Sequence, residues 1–380
     1  MPLRISHFFK VYMPDAEGGI PTVISSLTRH PPDDISHGVL AARKVGWRHK
    51  RIADGVSIEL VTSLGTLYSV PLAAGYIPAF VRTVKKANVA VHHAPFPLTD
   101  LAILLALPAH VALIIYWHAD IVGYPRLKRL ILPVLRRALA RADKIIVSGA
   151  AMIENSELLK PFAAKCVVIP YGVDLEYWRS LDSADAAEIA ELKRQHPRHI
   201  VALGRLVPYK GFDVLVRAMC HVDAQATIIG EGPQQDHLER LAAELGVADR
   251  IKFVGRLSRR GIKILFYSAS VLAFPSVTEA EAYGIVQLEA MATGLPIVNT
   301  NLPTVVPWVA RHDQEALTIP PNDPIALANA LNTILDQPDL ARRLGASASN
   351  RATNEFAEDL FRARMRETYL QALRAREARS

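Results

Sequence analysis

Cysteine is scarce: the 380 residues hold two, Cys166 and Cys220. So few, so far apart, cannot build a zinc site or a disulfide framework. They fit a reducing compartment. The opening stretch MPLRISHFFKVYMPDAEGG has no apolar core and soon meets Asp15 and Glu17, so no signal peptide is expected. Long hydrophobic runs are also missing, with one near-exception. Residues 101–119 carry no Asp, Glu, Lys or Arg, but Pro108 and His110 split them. The halves read as a helix ending near Leu107 and a buried strand from Val111 to Tyr116. A membrane-spanning helix would need about 20 predominantly apolar residues. Gly/Ser linkers and low-complexity tracts are absent. With half the residues hydrophobic and a fifth charged, a disordered chain is ruled out.

The net charge of +7 is uneven: residues 1–175 carry +8 and the remainder −1. One basic cluster is Arg43, Lys44, Arg48, Lys50 and Arg51. The other runs through Arg126, Lys128, Arg129, Arg136, Arg137, Arg141 and Lys144. In the second, Leu127, Leu130, Ile131, Val134, Leu135 and Ala138 recur at helical spacing. Such a helix suits an anionic membrane surface. It equally suits a core-packed helix with a solvated basic side. No zinc-finger spacing or aromatic-basic RNA signature is present, so no nucleic acid is expected as a partner.

Short branched runs alternate with helical patterns. Candidate strands are 4–9, 56–61, 89–92, 112–116, 144–147 and 166–169, then, after a polar stretch, 199–203, 226–229, 251–253, 271–274 and 296–299. Strands separated by helices imply parallel sheets. The fold class is α/β, with two Rossmann-like doubly wound domains. The expected divisions are 1–172, 173–355 and a charged C-terminal helix, 356–380, packing back on the first domain. Parallel sheets bind ligands beyond the carboxyl ends of their strands. Two such domains facing each other would frame a cleft.

Four places carry candidate chemistry. Gly18 and Gly19 follow the first strand and precede a helix, where backbone N–H groups can meet an anion. The three-glycine dinucleotide fingerprint is absent, which argues against NAD. In GRLVPYKG, residues 204–211, Arg205 and Lys210 stand on a strand-to-helix loop. Two cations there suit a diphosphate and stabilise a departing nucleoside diphosphate. In residues 274–298, Glu279 and Glu281 precede a helix opening near Tyr283-Gly284, with Glu289 about two turns in. Ionised carboxylates suit hydroxyl-rich ligands. Finally, His118 and Asp120 follow a buried strand, and His92-His93 another. Each feature also has a plain structural reading as a turn, a solvated charge or a satisfied core histidine.

In this order and spacing the residues resemble the family 4 retaining glycosyltransferases, which have the GT-B fold. The resemblance covers nearly the whole chain and is strongest from Pro170 to Val298. It implies that Gly19 meets the donor diphosphate, with Arg205 and Lys210 neutralising it. It places Glu281 at the donor sugar, Glu289 at the ribose and His118 at the sugar's distal hydroxyl. The backbone at Gly284, Ile285 and Val286 would cap the diphosphate, and Phe253 and Val254 would lie near the base. No metal cofactor is implied. The family's usual Glu-Gly-Phe-Gly is here Glu281-Ala282-Tyr283-Gly284, which puts the loop conformation in question.

More narrowly, the chain resembles the α-mannosyltransferases of xanthan-type exopolysaccharide assembly. That implies GDP-mannose as co-substrate and a cellobiosyl-type acceptor on polyprenyl diphosphate. The implied location is the inner face of the bacterial cytoplasmic membrane, peripherally held through Arg126, Lys128, Arg129, Arg136 and Arg137. Lys210, Glu281 and His118 would then be catalytic. A nucleotide-sugar epimerase, another GT-B enzyme, or a non-catalytic sugar-binding scaffold stay open.

Overall fold

A computed structural model of the chain describes residues 2–16, 18–67, 70–120 and 125–378, without the side chains of 125–128. It divides into two compact units, Met1–Gly172 with Asp359–Ser380, and Val173–Glu358.

The first unit is built on an eight-stranded sheet. Its strands are β1 (Leu3–Val11), β2 (Ile35–Ala42), β3 (His49–Ala53) and β4 (Val56–Val61), then β7 (Val89–Ala94), β8 (Ala112–Trp117), β9 (Lys144–Val147) and β10 (Cys166–Val168). β5 (Thr66–Leu67) and β6 (Val70–Pro71) form a separate small hairpin. The order is β10-β9-β8-β7-β1-β2-β4-β3, and the strand order turns back at β1. All neighbours are parallel except β3, which runs antiparallel to β4 at the edge. β2 and β3 correct the expected six-strand series. In β2, ISHGVLAA, Gly38 and His37 interrupt the branched pattern. β3, HKRIA, is charged because it is an exposed edge, where such residues discourage pairing with another chain. The first basic cluster is therefore partly this edge: Arg48, Lys50 and Arg82 all converge on Glu59, and Arg43 pairs with Asp15.

β7 and β8 are buried at every residue, as a sheet covered on both faces requires. The helix Pro97–Ala106 stops just before Pro108, as the sequence implies. The helix Pro125–Arg141 turns Leu135, Ala138 and Leu139 into the core of this unit. Part of the expected apolar stripe, Leu135 and Ala138, is thus spent on packing, as the core-packed reading implies. Leu130, assigned to that stripe, is 75% exposed, beside exposed Arg129, Arg136 and Arg137. The side chains of Arg126 and Lys128 lie outside the described residues. No helix of the described residues is long and apolar enough to cross a membrane.

The expected C-terminal helix is Glu358–Glu377, and a separate helix precedes it within the second unit. Pro338–Glu355 ends at Phe356, and Glu358–Glu377 begins two residues later. The backbone between them pairs with Val173, which accepts from Glu358 N and donates to Phe356 O. The final helix then belongs to the first unit. Phe361, Met365, Tyr369 and Ala372 recur at helical spacing and are buried. Arg362 donates to Ser26 O, and Arg376 pairs with Asp143.

The second unit holds β11 (His199–Leu203), β12 (Gln225–Ile229), β13 (Ile251–Phe253), β14 (Val271–Phe274), β15 (Ile297–Thr300) and β16 (Ala316–Ile319). The order is β13-β12-β11-β14-β15-β16, all parallel. The short strand β16 adds a sixth to the five expected. Chain order reverses between β11 and β14. Loops diverge at such a switch point, leaving room for a ligand at the carboxyl ends.

Candidate active site

The two loops at that switch point are the ones carrying Lys210 and Glu281. After β11 the chain runs through Gly204 and Arg205 to one 3-10 turn, Pro208–Lys210, closed by Gly211 at φ 66°. A Cβ on Gly211 would stand 2.1 Å from the carbonyl oxygen of Pro275, in the loop after β14. Only glycine allows that approach and that φ. Val277 N donates to Tyr209 O at 2.9 Å, tying the same loops together.

Their side chains then meet. Lys210 Nζ lies 2.5 Å from Glu281 Oε2, and Ser276 Oγ donates to the same oxygen at 3.2 Å. The Phe274 ring sits 5.2 Å from the ammonium. Glu281 is buried, whereas Glu279 is exposed, so Glu281 is the acid at this point. Arg205 is exposed on the same β11 loop. Ala282 is not among the described residues with positive φ, so the loop has no need of glycine there.

Gly284 does need to be glycine. Its φ is 78°, and a Cβ would fall 2.6 Å from Phe274 Cζ. It opens the helix Ile285–Thr293. The first backbone N–H groups of that helix, at Ile285 and Val286, have no partner within it and suit an anion. Gly284→Ala should lose about 1–3 kcal/mol through backbone strain alone, read as a lower urea midpoint. An unchanged midpoint would contradict the packing described.

Glu289 stands about one turn into this helix rather than two. Burial pushes its carboxyl up to about 7, against the pull of Arg259. Arg259 stacks 4.0 Å over Tyr177 and ion-pairs with Asp174. Sequence reasoning missed Arg259 and Tyr177, which come from separate helices. It also missed Gly230-Glu231-Gly232 after β12. A Cβ on Gly230 would lie 1.9 Å from Gly204 O, and one on Gly232 2.3 Å from Leu206 O. A Gly-x-Gly after a strand was the available signal. Phe253 ends β13 and Val254 follows it, two strands from β11 on the same carboxyl edge.

In the first unit, Gly18 caps the helix Gly19–Thr28 at φ 133°, with open space where a Cβ would be. His118 follows β8 but is buried, with both ring nitrogens engaged. Nε2 is 2.8 Å from His93 Nδ1, and Nδ1 is 2.7 Å from Tyr171 Oη. The run continues: His93 Nε2 to His7 Nδ1 at 3.0 Å, and His7 Nε2 to His37 Nδ1 at 3.0 Å. His92 points to the opposite face and meets Asp100 at 2.9 Å. Asp120 accepts from Trp117 Nε1 and Ser156 Oγ.

Burial first, and neighbouring charge second, keep these four rings neutral. His118 is lowered to about 3 and His37 to about 4, while His7 and His93 fall well below the ordinary value. Unfolded histidines take protons near pH 6.5 and the folded ones do not. Stability is therefore full above pH 6.5 and should fall steeply as pH drops from there toward about 4. Urea midpoints across pH 4–8 test this, and a flat profile would contradict it.

Comparison with known proteins matches both units. The family described as "Glycosyl transferase 4-like domain" covers residues 18–172, and "Glycosyl transferases group 1" covers residues 185–351. Together they take in every strand of both sheets except β1, and the loops carrying Lys210 and Glu281. The chain belongs to the family 4 glycosyltransferases. It is a glycosyltransferase with the GT-B fold, and its relatives include mannosyl- and rhamnosyltransferases. It is 28% identical to O-antigen chain mannosyltransferase C of Escherichia coli, over 94% of this chain and 95% of that one. It is 26% identical to D-rhamnosyltransferase WbpZ of Pseudomonas aeruginosa, over 93% and 92%. Among solved structures, the sucrose-phosphate synthase of Thermosynechococcus elongatus superposes at TM-score 0.80, with 20% identity over 98% and 100% of the two chains. Anabaena HepE in complex with UDP superposes at 0.76, with 20% identity over 96% and 99%. These likenesses concern the fold.

Proposed function

We propose that this glycosyltransferase moves α-mannose from GDP-mannose, with retention, to an oligosaccharide carried on polyprenyl diphosphate. The observation that carries the reading is the Lys210–Glu281 pair at the β11/β14 switch point, flanked by Arg205 and a helix N-terminus. Arg205, Lys210 and the N–H groups at Ile285 and Val286 take the diphosphate, assisted by the backbone at Gly19. Lys210 leaves Glu281 for a phosphate oxygen as the donor arrives, and Glu281 turns to the sugar. Glu289 accepts from the ribose hydroxyls, and Phe253 and Val254 border the base. His118 would reach a distal sugar hydroxyl once that hydroxyl takes the place of Tyr171 at Nδ1.

As the anomeric C–O bond breaks, negative charge grows on the leaving diphosphate. Fixed cations stabilise that state more than the bound donor. The acceptor oxygen attacks from the same face, and its proton passes to the departing phosphate oxygen. No metal is invoked in this step.

Mannose is favoured by two relatives: a mannosyltransferase of O-antigen chains and a GDP-mannose-dependent mannosyltransferase of Mycobacterium tuberculosis, the latter 31% identical over 62% of this chain. HepE has been solved with UDP-glucose, so the base and sugar need a direct test. A thermal-shift panel of GDP, UDP, ADP and their sugars supplies it. A selective rise with GDP and GDP-mannose supports the reading. A selective response to UDP overturns the donor assignment. Incubation of GDP-mannose with polyprenyl-diphosphate-linked cellobiose tests the xanthan-type acceptor. Failure with cellobiose but transfer to another lipid-linked glycan would reject that acceptor alone.

The exposed cations Arg129, Arg136 and Arg137 with Leu130 suit peripheral attachment to the inner face of the cytoplasmic membrane, where such acceptors are held. The chain should float with anionic liposomes at low salt, and the double charge reversal Arg136→Glu, Arg137→Glu should weaken flotation severalfold. Sedimentation without the vesicles would end the membrane assignment.

A further inference from the structure

The four histidines lie on four adjacent strands or their ends: His37 on β2, His7 on β1, His93 on β7, and His118 just after β8. Register sets the diagonal. His37 faces Ile5, two residues before His7; His7 faces Val91, two before His93; His93 faces Tyr116, two before His118. Each step crosses one strand and climbs two residues on the same face. Ring centroids are 5.1, 5.3 and 5.1 Å apart along the run. The ladder ends at the carboxyl edge of the sheet.

Every link joins an Nδ1 to the next ring's Nε2, with the same polarity. A neutral imidazole has one N–H and one lone pair. All three links can be satisfied only when the four rings share one tautomer. A mixed set leaves two protons or two lone pairs facing each other in a buried site, which is costly. The ladder therefore has two states, all Nδ1–H or all Nε2–H, and changes between them as a unit.

The Tyr171 end favours Nδ1–H. At His37, the cation of Arg362 on the C-terminal helix opposes a second proton on the ring, which keeps that end neutral. At the other end, Tyr171 hydrogen-bonds Ser148, whose own proton goes to Met152 Sδ at 3.1 Å. Ser148 can then accept from Tyr171, leaving the Tyr171 oxygen to accept from His118 Nδ1–H. Rings and charges that face the ladder elsewhere are Tyr369 beside His37, Phe9 and Tyr116 beside His93, and His92 behind the sheet.

We propose that His37, His7 and His93 are positioning residues that hold His118 in its Nδ1–H form, so that it presents a hydrogen-bond donor. A sugar hydroxyl replacing Tyr171 would meet that N–H. The last step rests on the donor-contact role proposed for His118, and the ladder itself does not.

The test is 15N NMR of the full chain labelled at histidine, at pH 7.5, together with GDP-mannose affinity. In the unaltered chain, His7, His37, His93 and His118 should all be neutral Nδ1–H. A mixture of tautomers, or any cationic ring among the four, overturns the proposal without need of a variant. His37→Asn can still donate to His7 and should keep the other three as Nδ1–H. His37→Asp can only accept, with Arg362 beside it, and should turn His7, His93 and His118 to Nε2–H. A purely structural ladder would respond alike to both, and equal tautomers in the two variants would overturn the relay. GDP-mannose affinity should fall about tenfold in His37→Asp and hold in His37→Asn. Tautomers that flip while affinity stays constant would keep the ladder and remove His118 from the sugar.

Discussion

Lys210→Ala should lower kcat by about 10²–10³-fold, or about 2.7–4 kcal/mol, the scale of removing one fixed group that meets developing charge. The melting temperature should move little, because Ser276 still donates to Glu281 and the loops remain joined through Tyr209 and Val277. Glu281→Ala should cost a similar factor. The double substitution should cost less than the product of the two, since the side chains touch and act as a unit. Steady-state kinetics on the four forms of this cycle check the claim. Near-normal turnover in either single variant, with the fold retained, would remove the pair from the reaction.

The second large effect is at Glu289. Glu289→Gln should weaken binding of GDP or GDP-mannose by about 10–100-fold, since hydrogen bonds to a charged acceptor contribute about 1.5–3 kcal/mol. Affinity of the unaltered chain should itself rise with pH through about 7, as the carboxyl ionises. Stability should move the other way. A carboxyl whose pKa is raised on folding binds its proton more tightly in the folded chain. Its contribution is full at low pH and is lost as pH rises from about 4.5 to about 7. Glu289→Gln should therefore be more stable than the unaltered chain at pH 8 and nearly equal to it at pH 4.5. Calorimetric titration and melting curves at both pH values read the two effects separately. Stronger binding by the variant, or a lower melting temperature at pH 8, would contradict the assignment.

Much of this site is written in local sequence. β4, β9, β11, β13 and β14 have the bounds that their branched runs imply, and Lys210 and Glu281 fall on loops after β11 and β14. Their meeting was inferable because a doubly wound sheet reverses its order there. What escaped notice depends on lateral register. His7, His37, His93 and His118 are dispersed through the chain, and nothing local says that each lies one strand over and two residues up from the last. The adjacent pair His92-His93 looked like one feature, yet a strand sends neighbours to opposite faces. One joins the ladder and the other meets Asp100. For the helix Pro125–Arg141 the periodic leucines read equally as membrane face or core face; packing takes Leu135, Ala138 and Leu139 into the core and leaves Leu130 exposed.

A crystal structure of the chain soaked with GDP-mannose bears most directly on whether the β11 and β14 loops hold a sugar nucleotide by its phosphates. The expected density has both phosphorus atoms between Arg205, Lys210 and the first turn of the helix Ile285–Thr293, with the ribose on Glu289. Phosphates bound elsewhere, with the Lys210–Glu281 pair intact, would refute it.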